Sequence, residues 1–423
     1  LCCATIREAV RSMSVSPNRR VLRSFRRTRW LAAKLRNRTD LNLHQQTQMK
    51  LWHDHVLESF PHFDPTTLSM TKESLMADFA AYNQERLSAE EVRRGLASGY
   101  VHHDVTCGMS TGTSGNRGLY VVTEAERYQW LGVILAKALP DVWRTRHRVA
   151  VILPQFSALY QAGNQSRMLQ VEFYDLRSGP EKWAHELLQL NPTVLVAPPK
   201  VLSWLAQNAD LDRLKPKRVF SAAETLDAPD RDLIEAAFGL RLGQIYMATE
   251  GLLGVTCGKG TMHLTEDYVK FSFDWVSNEL ATPIITDFAR RYQLMAGYEM
   301  NDLLRLQDQP CACGSPLQAV TEVVGRRDDV FWFDSVMVTP DILRNAVLDA
   351  DQAITDFRIQ QTYESQIILR LPPDVPDPIK AKAQDNLRSV LRGRGVEPEI
   401  SFEELAQDDL FARKLRRVER LRT

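Results

Sequence analysis

Between residues 148 and 238 the chain alternates short β-branched apolar runs with helical patterns, and no other feature limits its fold as tightly. The run 148–153 (Arg-Val-Ala-Val-Ile-Leu) stops at Pro154, and 193–197 (Thr-Val-Leu-Val-Ala) stops at Pro198 and Pro199. A third run covers 218–222, and apolar residues at helical spacing follow at 200–208 and 228–238. Short continuous apolar runs bounded by breakers are strands buried on both faces. Strands that alternate with helices build a largely parallel sheet. The expectation is an α/β protein with a large domain of mixed and parallel sheets.

Residues 40–100 read as helices, with Leu51, Val56, Leu57 and Phe60 at helical spacing and a capped start at 69–75. A boundary is expected at 325–329. Beyond it, 356–361 and 366–370 read as strands and 379–392 as a helix, giving a small α+β C-terminal domain. The division expected is a basic helical extension over 1–40, a large domain over 41–325 and a small domain over 326–423.

Lys plus Arg and Asp plus Glu are both 53, so the formal net charge is zero. That balance argues against nucleic acid as a main partner, because neutralising phosphates needs an excess of basic surface. The stretch 7–38 is the exception, rich in arginine and nearly free of acid. Such a helix could touch a membrane or an acidic partner; its plainer reading is a helix packed on the body with a solvated arginine face. No apolar run reaches the roughly 18 residues of a membrane span. The chain opens Leu1-Cys2-Cys3, which leaves its natural start open, with Met13 a candidate. Its six cysteines are few for a secreted disulfide scaffold, so a reducing, cytoplasmic compartment is expected.

Five motifs carry chemistry. The first, Ser110-Thr111-Gly112-Thr113-Ser114-Gly115-Asn116-Arg117-Gly118, precedes a strand-like run. Its glycines let backbone amides approach an anion and its hydroxyls add donors, although it is no Walker A loop. The second is Tyr246-Met247-Ala248-Thr249-Glu250. Its hydroxyl suits a phosphate oxygen and its carboxylate suits magnesium. The third is Tyr298-Glu299-Met300-Asn301-Asp302 ahead of a strand, where a carboxylate can accept both hydroxyls of a ribose. The fourth is Gly325-Arg326-Arg327-Asp328-Asp329, and the fifth is Arg413-Lys414-Leu415-Arg416-Arg417-Val418. Singly, each has a plainer reading as a loop, a turn acid or a solvated basic face.

In this order and spacing the five resemble the adenylate-forming superfamily of acyl-CoA synthetases, adenylation domains and luciferases. The compact phenylacetate–CoA ligase branch, with its deazaflavin-coenzyme adenylylating relatives, is most similar. The resemblance spans roughly residues 45–423. It implies that Ser110, Thr111, Gly112, Thr113, Ser114 and Gly115 cover the β- and γ-phosphates of ATP. Ala223, Glu224 and Thr225 would lie beside adenine and Tyr246 would stack near it. Thr249 would contact the α-phosphate and Glu250 would hold Mg2+. Asp302 would bind the ribose, Arg326 would support it, Asp328 would be the hinge of the small domain, and Lys414 would be the catalytic lysine. Four positions depart from the family pattern. The loop lysine is absent, with Arg117 nearby, and Met247 replaces a glycine. Glu299-Met300-Asn301 replaces Arg-x-Gly, and Arg413 replaces a glycine.

Cys257 and His263 follow the second motif and Cys311 and Cys313 follow the third. Three thiols and one imidazole suit a structural, four-coordinate Zn2+, against the alternative of unligated thiols. Phe156, Tyr160 and Phe173 fall where the family builds its acyl pocket, each with a plain core reading.

The resemblance therefore implies ATP-dependent adenylation of an aromatic or medium-sized carboxylic acid. Transfer to the thiol of CoA or a carrier protein would follow, and a homodimer is compatible with it. Two other readings stay open: AMP transfer to a non-carboxylate substrate, and a catalytically inactive, zinc-stabilised nucleotide-binding protein.

Overall fold

The computed structural model describes residues 17–102, 104–110, 117–154, 168–208, 213–351, 354–363, 365–405 and 415–421. The helices of the first part are α1 (Pro17–Lys34), α2 (Arg38–Ser59), α3 (Lys72–Ala77), α4 (Ala89–Gly95), α5 (Glu124–Ala138), α6 (Pro180–Leu190), α7 (Pro199–Asn208) and α8 (Ala228–Phe238). Strands β1 (Val105–Met109) and β2 (Leu119–Thr123) form a separate antiparallel hairpin.

One large sheet organises the rest of this part. Its parallel half holds β3 (His147–Leu153), β4 (Leu169–Asp175), β5 (Val194–Ala197), β6 (Arg218–Ala222) and β7 (Leu242–Ala248), ordered β4-β3-β5-β6-β7. At β7 the sheet turns antiparallel. It continues through β8 (Gly251–Thr256) and β9 (Met262–Leu264), and takes in β10 (Val269–Trp275), β11 (Leu280–Asp287), the short β12 (Tyr298–Glu299), β13 (Asp302–Leu306) and β14 (Ala319–Arg326). The order from β9 outward is β9-β14-β13-β11-β10, with β12 beside β11.

The three uniform apolar runs are β3, β5 and β6, each within a residue of the range read from the sequence, and 228–238 is α8. The edge strand β4 escaped that reading because Gln170 and Glu172 interrupt its apolar pattern on the side that faces water.

The last part has its own core of Phe331, Leu343, Phe357, Ile367, Leu387 and neighbours. After the hairpin β15 (Phe331–Phe333) and β16 (Val336–Val338), helices α9 (Pro340–Leu348) and α10 (Asp377–Arg392) accompany a four-stranded sheet. That sheet contains β17 (Arg358–Tyr363), β18 (Gln366–Leu371), β19 (Glu399–Glu404) and β20 (Val418–Arg420), ordered β19-β18-β17-β20. The molecule is thus a mixed α/β protein, with a large multi-stranded sheet and a smaller C-terminal sheet.

The basic segment forms α1, which lies along α5. Val21, Phe25 and Leu31 are buried in the main core while Arg19, Arg23, Arg26 and Arg29 face water. Two hydroxyls fix the contact: Ser24 donates to the Gln129 carbonyl at 2.8 Å, and Thr28 pairs with the Tyr268 hydroxyl at 2.7 Å. The helices meet at Gly132, where a Cβ would sit 2.5 Å from Ser24 Cβ and 2.7 Å from the Val21 carbonyl. Gly132→Ala is therefore expected to destabilise the protein by about 1–3 kcal/mol, as overpacking does, read from the denaturant midpoint. Among the described residues no helix is long and apolar enough to cross a membrane.

Candidate active site

Thr249 and Glu250 are the two-residue tip of the β7–β8 hairpin, because Ala248 pairs directly with Gly251. Gly251 follows at φ 143°, a conformation that side chains rarely adopt. A register shift at Tyr246 and Met247, where the family pattern has a glycine at the second position, marks a bulge that re-aims the side chains. Thr249 donates to Glu250 at 2.9 Å.

The tip is held from behind by Arg290, a fully buried arginine. It donates to the carbonyls of Thr249 (3.2 Å) and Glu250 (3.4 Å), and also to the Val121 carbonyl on β2 (3.2 Å). Gln293 accepts from Arg290 and from the Val121 amide. One guanidinium thus ties the hairpin tip to the strand that leaves the Ser110–Gly118 loop. Burial lowers the Arg290 pKa against the pull of Glu126 and Asp287, and pushes the Asp287 carboxyl up to about 6.

The third motif meets the second across the sheet. Tyr246 donates its hydroxyl to Asp302 at 2.6 Å, and Asp302 is the register partner of Arg326 across β13 and β14. Burial, then the Asp302 charge, raises the Tyr246 phenol well above its ordinary pKa, so it stays a donor. The Tyr298 phenol is raised likewise by burial, then by Glu250. Asn301, standing where the family pattern has glycine, holds the Arg327–Asp329 turn: it donates to Asp328 at 2.9 Å and accepts the Asp328 amide at 3.2 Å.

Ala223 adopts φ 69°, a left-handed conformation that costs a non-glycine residue about 1 kcal/mol and concentrates at functional sites. The next residue, Glu224, pairs with buried Lys200 at 3.3 Å and accepts the Leu415 amide at 3.1 Å. That places the chain just after Lys414 against the Ala223–Thr225 segment.

A cleft of about 1770 Å³ joins these pieces. Ser110, Ala223, Glu224, Thr225, Tyr246, Thr249, Glu250, Asp302, Arg326 and Asp328 all line it, together with Leu415 to Leu421 from the C-terminal part. Thr111, Gly112, Thr113, Ser114, Gly115, Lys414, Phe156 and Tyr160 lie outside the described residues. Phe173 packs on the core from β4 and does not line the cleft.

Sequence reading passed over Lys72. It opens α3 behind a Thr71–Ser74 capping box, and its Cε would lie 3.4 Å from a Cβ at Gly118. Burial lowers its pKa from the ordinary lysine value, against the opposing charge of Glu250. The only trace in sequence is a capped helix start bearing a lysine. The partner segment is Gly297–Glu299, which bonds to Met70 through both backbone directions.

Cys257, His263, Cys311 and Cys313 converge with all four potential ligand atoms within 4.8 Å of one another. Cys257 and Cys311 sulfurs are 3.9 Å apart and Cys313 sulfur is 3.4 Å from His263 Nε2. A tetrahedron with metal–sulfur bonds of about 2.3 Å and a metal–nitrogen bond of about 2.0 Å has edges of about 3.8 and 3.5 Å. His263 Nδ1 bonds the Leu317 carbonyl at 2.9 Å, fixing the tautomer that leaves Nε2 as a ligand. The four residues therefore fit a tetrahedral metal.

The fold is that of the adenylate-forming ligases. No protein-family model and no curated protein matches the chain by sequence. Among solved structures it is similar to 2-hydroxyisobutyryl-CoA ligase in the postadenylation state with R3-HIB-AMP, at TM-score 0.69 and 16% identity over 92% of this chain and 91% of that one. Against the same ligase with 2-HIB-AMP and CoA in the thioesterification state the TM-score is 0.53, at 18% identity over 91% and 90%. The GH3.15 acyl acid amido synthetase gives 0.60 at 13% identity over 89% and 88%.

Proposed function

We propose that this protein activates a carboxylic acid, aromatic or medium-sized, as an acyl-adenylate and then passes the acyl group to the thiol of CoA or a carrier protein. The observation that carries this reading is the meeting of Tyr246, Asp302, Thr249, Glu250 and the segment following Lys414 in one cleft of the adenylate-forming fold. The Cys/His cluster favours the phenylacetate–CoA ligase branch.

In this reading a substrate carboxylate oxygen attacks the ATP α-phosphorus and the bond to pyrophosphate breaks. A thiolate then attacks the acyl carbon and AMP leaves. Asp302 takes the ribose hydroxyls, with Tyr246 holding its carboxylate in place and Arg326 alongside. Ala223-Glu224-Thr225 and the Tyr246 ring flank adenine. Thr249 contacts the α-phosphate, and Lys72 with the Ser110–Gly118 loop meets the terminal phosphates. Glu250 would hold Mg2+, which supplies positive charge against the phosphates. Cys257, His263, Cys311 and Cys313 would hold Zn2+, and four protein ligands leave it no open position for catalysis. Little bond-making falls to side chains, so positioning and charge carry the rate. Asp328 is the pivot about which the small domain turns between the two steps.

The test is ATP–pyrophosphate exchange across a panel of aromatic and aliphatic acids. Exchange is expected only with acid present, and strongest with one chemical class. Retained ATP binding with no acid-dependent exchange would reject the reading in favour of an inactive nucleotide-binding protein. Pyrophosphate release that yields a stable AMP adduct of a non-carboxylate would favour nucleotidyl transfer.

A further inference from the structure

We infer that Asp227 is a positioning residue that latches the small domain in its adenylate-forming pose and releases it for the second step. This rests on the proposed function, and it adds the contact that selects between the two poses.

Asp227 stands at the N-cap of α8 and is 6% exposed. An aspartate there ordinarily accepts an amide of the first helical turn. Asp227 makes no such bond. Its two oxygens instead receive Arg344 Nε at 2.7 Å and Arg417 Nη1. Arg417 also reaches Asp230 at 2.8 Å and the Thr355 carbonyl at 2.8 Å, and lies over the Phe357 ring. Arg344 donates to the Val324 carbonyl at 2.7 Å. Arg344 is on α9 and Arg417 leads into β20, so two separate elements of the small domain close on one carboxylate of the large domain.

The latch sits beside the chemistry. Arg417 is three residues past Lys414, Leu415 is bonded to Glu224, and Arg416 grips Asp329 in the turn that carries Asp328. Every one of these contacts fixes the backbone next to the catalytic lysine. Over the whole chain the likeness is greater to the neighbouring ligase in its postadenylation state (TM-score 0.69) than in its thioesterification state (0.53).

Ion networks suit a contact that must open. Two arginines and three carboxylates (Asp227, Asp230 and Glu322, 3.5 Å from Arg344) gain little over their hydrated state when buried together, so releasing them to water at once is cheap. Removing the Asp227 carboxylate is costly, because two buried guanidinium groups lose the one charge they share, and Asp230 and Glu322 each offset only one of them. The network therefore specifies a pose strongly without making it permanent.

The test is hydrogen–deuterium exchange and small-angle X-ray scattering on the full chain, wild type against Asp227→Asn, with no substrate. Exchange in the peptide 415–421 is expected to rise at least about 30-fold, the scale of losing one partner of a buried charge pair, with protection of β17, β18 and α10 unchanged. Scattering is expected to show a broader spread of interdomain distances. Arg417→Lys, which keeps the charge, is expected to give a smaller shift in the same direction. Unchanged protection at 415–421 would overturn the latch. Uniform loss of protection across β17, β18 and α10 would also overturn it, since Asp227 would then serve folding. These measurements need no acid or ATP, so failure of the proposed chemistry would leave a positive result standing as a domain latch.

Discussion

Lys414→Ala is expected to slow acid-dependent ATP–pyrophosphate exchange by about 10²–10³-fold while ATP affinity stays near wild type, as for loss of one preorganised charge in a transition state. The geometry makes this a clean substitution. The residues after Lys414 are held independently of its side chain: Leu415 by Glu224, Arg416 by Asp329 and Arg417 by Asp227. Truncation at 414 thus leaves the flanking contacts in place. ATP is held in the proposed site by groups of the large domain, so its equilibrium binding tests whether the nucleotide site survives. Exchange and binding measured on one preparation separate the two effects. Wild-type exchange in the variant would remove Lys414 from the chemistry, and parallel loss of ATP binding would make it a binding residue.

Cys311→Ser is expected to abolish bound zinc and, at zinc about a thousandfold above its dissociation constant, to remove about 4 kcal/mol of stability. The metal would join the turn between β8 and β9 to the segment between β13 and β14, two loops that the sheet alone does not tie at their tips. Chelation should lower the wild-type melting temperature and leave the variant unmoved. Metal analysis of the purified variant gives the direct check: full zinc retention would show that Cys311 is no ligand. The hairpin tip Thr249–Glu250 lies at the opposite end of β8 from Cys257, so ATP binding should change little.

Strands β3, β5 and β6 were legible because they are buried on both faces and read as unbroken apolar runs. The motifs were legible because each is local and their order constrains the whole. Lys72 and Arg290 were not, since each acts on a segment far away in sequence. Arg290 serves β2 and the β7–β8 tip at once, a job that only the folded chain defines. Lys72 comes close to Gly118, and Met70, two residues before it, is bridged to Tyr298. Asn301 reads in sequence as a departure from glycine, and its purpose shows only when the turn it grips is seen to carry Asp328. Asp227 stands at the N-cap of α8 and serves as an ion-pair centre, which only the folded chain defines.

The mouth of the Ser110–Gly118 loop has a consequence for protein engineering. The Ser110 amide bonds the Gly118 carbonyl at 2.7 Å, the Gly118 amide bonds Ser110 Oγ at 2.8 Å, and the β1–β2 ladder begins at the very next pair. The stem is therefore sealed whatever the tip contains. Lengthening the inserted segment would incur chiefly chain-closure entropy, about 0.6 kcal/mol for a doubling. The stem is thus a grafting point, where foreign anion-binding tips could be exchanged without redesigning the scaffold beneath them.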